Sequence, residues 1–130
     1  MEITIDHGGT SGSLGRGYED ALQQQCVMWY HNLVTGRNPS SLRKRLHCNN
    51  NNSHNKVAGN RAKAMGVAPG VADLEFMMWE GKTCYIELKR PGGTQSKDQK
   101  EFQKLCLDMG HEYHLVYTFE QFKLIINQRL

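Results

Sequence analysis

The apolar and polar positions of this chain fall into blocks of two periods. From Tyr18 onward, Leu22, Cys26, Trp29, Tyr30 and Leu33 recur at the i, i+4, i+7, i+8, i+11 spacing of an amphipathic helix, which Gly36 and Pro39 then close. Ser41 to Cys48 can form a strand, and the following NNNNSHN is too polar to pack, so it predicts an exposed loop. A short helix is expected over Lys56 to Met65, ending at Gly66. The strand LEFMMW, a tight turn at Glu80 and Gly81, and the return strand TCYIELKR then read as a hairpin that PGG stops. Ser96 to Met109 predicts a second long helix with Phe102, Leu105, Cys106 and Met109 as its buried stripe; Ser96 and Gln99 stand at capping-box spacing, and Gly110 supplies the stop. EYHLVYT is a further strand and FEQFKLIINQ a terminal helix. This order predicts an α/β fold, a mixed sheet flanked by helices in a single compact domain, without internal repeats.

Ahead of the first helix, HGGTSGSLGRG is rich in glycine and serine and has no apolar period, which predicts a flexible arm over residues 1 to 17. At 130 residues the chain can bury a sizeable core without disulfides or a structural metal. No run approaches the roughly eighteen apolar residues of a membrane helix, and MEITIDHGGTSGS lacks the basic patch and apolar core of a signal peptide. A soluble, cytoplasmic protein without a membrane partner is therefore expected. Cys26, Cys48, Cys84 and Cys106 contain no CxxC pair, which argues for free buried thiols rather than a zinc ribbon.

The net charge of +3 matters less than its distribution. Arg37, Arg43, Lys44 and Arg45 cluster before the asparagine run, and Lys89, Arg90, Lys97, Lys100 and Lys104 follow the hairpin. Such clusters suit a polyanionic partner or form solvated faces.

The hairpin carries the candidate chemistry. Alternation along TCYIELKR puts Tyr85, Glu87 and Lys89 on one face and Ile86 and Leu88 on the other. Glu87 and Lys89 either pair on a solvated face or serve a site. Asp73, after a Pro-Gly turn at the start of the partner strand, can converge on Glu87. Two such charges about 4 Å apart repel by roughly 1 kcal/mol in water and about 4 kcal/mol at an effective dielectric near 20, a conflict that a divalent cation removes. Glu19 lies about 20° from Cys26 and about 60° from Leu22 around the first helix, so it is either a charge favoured by the helix dipole or a third group of the same site. Gln23, one turn later, is similarly ambiguous. His111 and His114 fall on opposite strand faces and cannot share a metal, while His47 and His54 read as polar loop residues.

Asp73, Glu87-Leu88-Lys89 and Glu19 resemble the PD-(D/E)xK nuclease superfamily. More narrowly, GVAPGVADLEF, IELKR and the SKDQ that opens the next helix resemble the VRR-NUC family, the virus-type replication–repair nuclease domain, over about residues 17 to 120. This implies a nuclease domain over residues 18 to 130. The family has proline before its aspartate; here Ala72 stands in that place, which puts the stiffness of the turn in question but removes no ligand.

The resemblance implies that Asp73, Glu87, the backbone carbonyl of Leu88 and Glu19 hold Mg2+ or Mn2+, that Lys89 acts on the attacking water, and that Gln99 of the S-x-x-Q position bonds near the site, although capping explains Gln99 equally well. Arg43, Arg45, Arg90, Lys97 and Lys100 become phosphate contacts. Small members of the family are similar to Holliday-junction resolvases, which implies a homodimer acting on branched DNA; other readings are a nuclease for flaps, nicks or plain duplex, or a non-catalytic DNA-binding domain.

Overall fold

Six buried positions at the sheet's centre set the architecture. Leu74 and Phe76 of β2 (Leu74–Met77), Cys84, Ile86 and Leu88 of β3 (Thr83–Leu88) and Val116 of β4 (Glu112–Val116) alternate with residues of the opposite face, as period-2 patterning requires. They pack against α1 (Ser11–Val34) and α4 (Phe119–Asn127), which contribute Leu22, Cys26, Tyr30, Phe122 and Ile126. Burying each large apolar side chain contributes about 1.5–3 kcal/mol. The computed structural model describes residues 11–49 and 56–130.

The sheet order is β1-β2-β3-β4, with β1 (Leu46–Cys48). β1 and β3 pair antiparallel with β2, whereas β4 runs parallel to β3. A parallel pair needs a crossover, and α3 (Lys97–Asp108) supplies it, covering the sheet's second face through Phe102 and Cys106 against Ala72, Tyr85, Tyr113 and Leu115. The chain is thus a mixed sheet between helices, as the pattern of elements predicts. α2 (Lys56–Ala64) precedes β2. None of the described helices is long and apolar enough to cross a membrane.

Four expectations need correction. α1 begins at Ser11, so the last seven residues of the expected arm are helical, and residues 1–10 lie outside the described ones. The expected strand over Ser41 to Cys48 is a 3-10 turn over Ser40–Arg45, leaving only three residues of strand. In α3, Phe102 and Cys106 are packed, but Leu105 and Met109 are 52% and 65% exposed. Cys48 is exposed; the other three thiols are buried. Most of the asparagine run, with His54, lies outside the described residues.

The hairpin turn has Glu80 and Gly81 at φ of 73° and 79°, and the Met78 N–H donates across it to the Lys82 carbonyl at 2.9 Å. Gly81 adopts that geometry freely, and Glu80 accepts the strain because the hairpin's twist favours it.

Candidate metal centre

The β2–β3 register pairs Leu74 with Ile86, and extending it by one residue sets Asp73 opposite Glu87 on the face covered by α3. Residues so placed have Cβ atoms about 4.5–5.5 Å apart, and like charges there destabilise the pair. The loop before Asp73 is pinned on both sides. Gly70, at φ +82°, lies so close to the first turn of α3 that an added Cβ would stand 2.4 Å from the backbone of Asp98. On the other side, the Asn49 N–H donates to the Asp73 carbonyl (2.9 Å), and its side-chain amide donates to the Ala72 carbonyl (2.9 Å) and Glu75 Oε1 (3.1 Å). Asn49 thus braces the loop at Ala72 and Asp73.

Around this pair the site closes from three elements. The Leu88 N–H donates to Asp73 Oδ2 at 2.8 Å. Gln99 on α3 is the hub: Nε2 donates to Glu87 Oε1 (2.8 Å), and Oε1 accepts from Lys89 Nζ (2.8 Å) and from the Ser96 N–H (2.8 Å). The Ser96 hydroxyl in turn accepts from the Gln99 N–H at 3.2 Å. Gln99 is therefore both a capping residue and a bridge between Glu87 and Lys89; the two roles are not alternatives. Glu19 reaches the same place from α1, where its Oε1 accepts from the Arg90 N–H at 3.3 Å.

Glu87 is only 3% exposed, and its Oε2 is buried without a hydrogen-bond donor. Burial, then the charge of Asp73, pushes its carboxyl up to about 9, even with the Lys89 ammonium beside it. Burial also raises Asp73, against the opposing bond from Leu88, and raises Glu19. Asp73 and Glu87 stand within hydrogen-bonding reach of each other once one is protonated. An acceptor aimed at another acceptor is satisfied by a shared proton or by a cation. The oxygen-only donor set of carboxylates, together with that orphaned acceptor, fits a hard ion such as magnesium or manganese. Sequence reasoning missed Asn49, whose partners lie 23 or more residues away, and Asp20, an exposed acid whose charge acts on Asp73.

The other nominated residues are spread out. Arg90, Lys97 and Lys100 are exposed beside the site, at the end of β3 and along the first turn of α3. Arg43 and Arg45 lie beyond Leu46, which pairs with Phe76, toward the hairpin end of the sheet and away from Asp73. Arg45 turns onto the Phe76 and Trp79 rings, 4.3 and 4.9 Å from their centroids, and donates to the carbonyls of Met77, Arg129 and Leu130. His111 and His114 do face opposite sides: the first accepts from the Thr83 N–H, while the second meets Glu112 Oε1 at 2.9 Å. Cys84, Glu112 and His114 bring possible ligand atoms within 4.8 Å of one another on the α4 face. Glu112 Oε1 already accepts from Arg129 at 2.6 and 2.7 Å, however, so this group is satisfied as an ion pair, unlike Glu87.

With this geometry in place, comparison with solved structures gives a match. The fold is similar to that of a VRR_NUC domain protein. The TM-score is 0.68, over 85% of this chain and 86% of the other, at 20% sequence identity. No family model matches the sequence, and no curated protein matches it. The likeness to the VRR_NUC domain protein is one of fold.

Proposed function

We propose that this protein is a divalent-metal-dependent endodeoxyribonuclease of the VRR-NUC family that acts on branched DNA, resolving four-way junctions as a homodimer. The observation that carries the reading is the orphaned Glu87 Oε2, buried opposite Asp73 and beside a lysine held by Gln99. The similar fold of a VRR_NUC domain protein supports it.

Asp73, Glu87, Glu19 and the Leu88 carbonyl would hold Mg2+ or Mn2+; such an ion, when bound, polarises a phosphate and makes a water more acidic. The chain's own residues do the rest. Lys89 carries an ammonium at the site's edge, where it can orient the attacking water and stabilise charge growing on the phosphate oxygens. Gln99 fixes its place by accepting one of its three protons. Leu88 and the Gly70 loop hold Asp73 in register with Glu87. Hydrolysis forms one P–O bond to water and breaks another, with the water's proton passing to solvent or the leaving oxygen. Arg90, Lys97 and Lys100 neutralise backbone phosphates around the cut without reading sequence. A two-fold dimer supplies the two symmetric cuts that a four-way junction needs.

The test incubates labelled four-way junction, flap and linear duplex with and without magnesium or manganese. Metal-dependent junction cutting is expected, reduced at least about a hundredfold in Asp73→Ala and in Lys89→Ala. Equal cutting by wild type and Asp73→Ala would place the activity elsewhere, and metal-independent binding with no cleavage of any substrate would make the chain a DNA-binding domain. Sedimentation at the mass of a single chain would remove the dimer.

A further inference from the structure

Arg43, Lys44 and Arg45 occupy one 3-10 turn, whose three-residue repeat sends neighbouring side chains in three directions. Arg45 is spent on carbonyls and aromatic rings. Arg43 and Lys44 instead turn toward the end of α1, where, with His31, Arg37, Ser40 and Ser41, they line a cleft of about 490 Å³. No aspartate or glutamate lines it, and among the described residues none of its three strong cations forms an ion pair. Concave like charge without counter-charge is costly unless an anion enters, because the cleft walls focus the field. The His31 ring feels it: burial, then the Arg43 guanidinium, holds the imidazole below its ordinary range.

We infer that this cleft is a phosphate subsite for the DNA backbone, taking the duplex arm that leads away from the cut; the inference rests on the nuclease reading and deepens it. Glu19 reaches the metal centre from the same helix that ends at the cleft. From Glu19 to His31 and Val34 the helix spans about 18–22 Å along its axis. A duplex advances about 3.4 Å per base pair, so one laid along α1 would reach the level of the cleft five to seven pairs beyond the cut. A continuous backbone bridges that distance, whereas a free anion would owe nothing to the position of Glu19. Arg37, Arg43 and Lys44 then offer donors from two elements, and the serine hydroxyls add neutral ones.

The experiment measures the affinity of the full chain for a labelled 30-base-pair duplex and a four-way junction across a salt series, with magnesium replaced by calcium. Wild type is compared with Arg37→Ala, Arg43→Ala and, as an equal loss of charge at the hairpin turn, Lys82→Ala. Each cleft variant is expected to lower the salt slope by about one and to weaken binding about eightfold near 0.1 M salt, with Lys82→Ala unchanged. Slopes that do not move, or that move equally in Lys82→Ala, overturn the subsite. A parallel arm follows the His31 ring by NMR while inorganic phosphate is added: saturable binding together with unaltered DNA affinity in Arg43→Ala would assign the cleft to a free anion and overturn the duplex reading. Cleavage by wild type in magnesium is scored separately, so a protein that cuts but lacks the slope change loses only the subsite. A protein with the slope change that never cuts loses the nuclease reading and keeps the cleft.

Discussion

Glu87 concentrates the electrostatic cost of the buried Asp73–Glu87 pair, and its titration gives the sharpest expectation at the residue scale. Without a cation, the folded chain keeps a proton on Glu87 up to about 9, while the unfolded chain releases it near 4.5. The folded pKa is raised, so the stability linked to this group is complete below about 4.5 and is lost as pH rises through 9. Thermal midpoints in EDTA are therefore expected to fall between pH 5 and 9, less steeply in Glu87→Gln; the remaining slope comes from Asp73 and Glu19, which shift the same way, against an opposing contribution from His31, whose imidazole is held low. Added magnesium should raise the midpoint more at pH 9 than at pH 5, because ion and proton compete for the same oxygens. A wild-type midpoint flat across this window would mean that Glu87 ionises normally. Glu112 cannot imitate the effect: burial alone would raise it, but the hydrogen bonds from Arg129 and His114 outweigh burial and hold it low, so its contribution is lost only under acid conditions.

Asn49 belongs to the same scale. Asn49→Ala removes two side-chain hydrogen bonds that brace the Asp73 loop, for an expected destabilisation of about 1–2 kcal/mol in urea unfolding and a weaker calorimetric affinity for magnesium. His47→Ala loses contacts to Glu75 and to the Lys44 carbonyl, neither of which braces Asp73, and should leave metal affinity alone. That Asn49 is a brace was not legible in a run of four asparagines, since its partners come together only when β1 pairs with β2.

At the scale of elements, α3 does two jobs from one turn. Ser96→Ala removes the cap hydroxyl and should cost about 1 kcal/mol while leaving the Gln99 bonds to Glu87 and Lys89 available. Gln99→Ala removes those bonds as well. A larger destabilisation in Gln99→Ala than in Ser96→Ala, with a much larger loss of cleavage and metal binding, is the expected outcome; matching losses in both would reduce Gln99 to a capping residue. The spacing of Ser96 and Gln99 announced the cap, but nothing in the sequence tied Gln99 to Glu87, because helix and strand meet only through tertiary packing. The expected stripe of α3 failed in part for the same reason. Two apolar rows compete on that helix, and only the one through Phe102 and Cys106 meets Tyr85 and Tyr113, leaving Leu105 and Met109 in solvent. The strand expected from Ser41 begins only at Leu46, after a 3-10 turn whose last residue, Arg45, bonds to the distant Arg129 and Leu130 carbonyls.

At the scale of the molecule, Arg45 joins the turn before β1 to the hairpin and to the segment after α4. Arg45→Ala forfeits three hydrogen bonds and two cation–π contacts at a partly exposed site, with an expected loss of about 2–3 kcal/mol in urea unfolding; Arg45→Lys should recover less than half, since an ammonium cannot span three carbonyls as a planar fork does. A loss near zero would make the contact incidental.

The sequence by itself determined the order of elements and, through strand alternation, that Glu87 and Lys89 share a face; the hairpin's length then set Asp73 opposite Glu87. These are local consequences of a period of two and a tight turn, which neighbouring residues encode. Only the tertiary structure decided that β4 lies parallel to β3, that the Glu87 carboxyl is buried with one oxygen unpartnered, that Gln99 bridges it to Lys89, and that of three adjacent basic residues one is structural while two face an open cleft. Each depends on which faces bury one another across long separations in the chain, and burial, unlike period, is a property of the assembled fold.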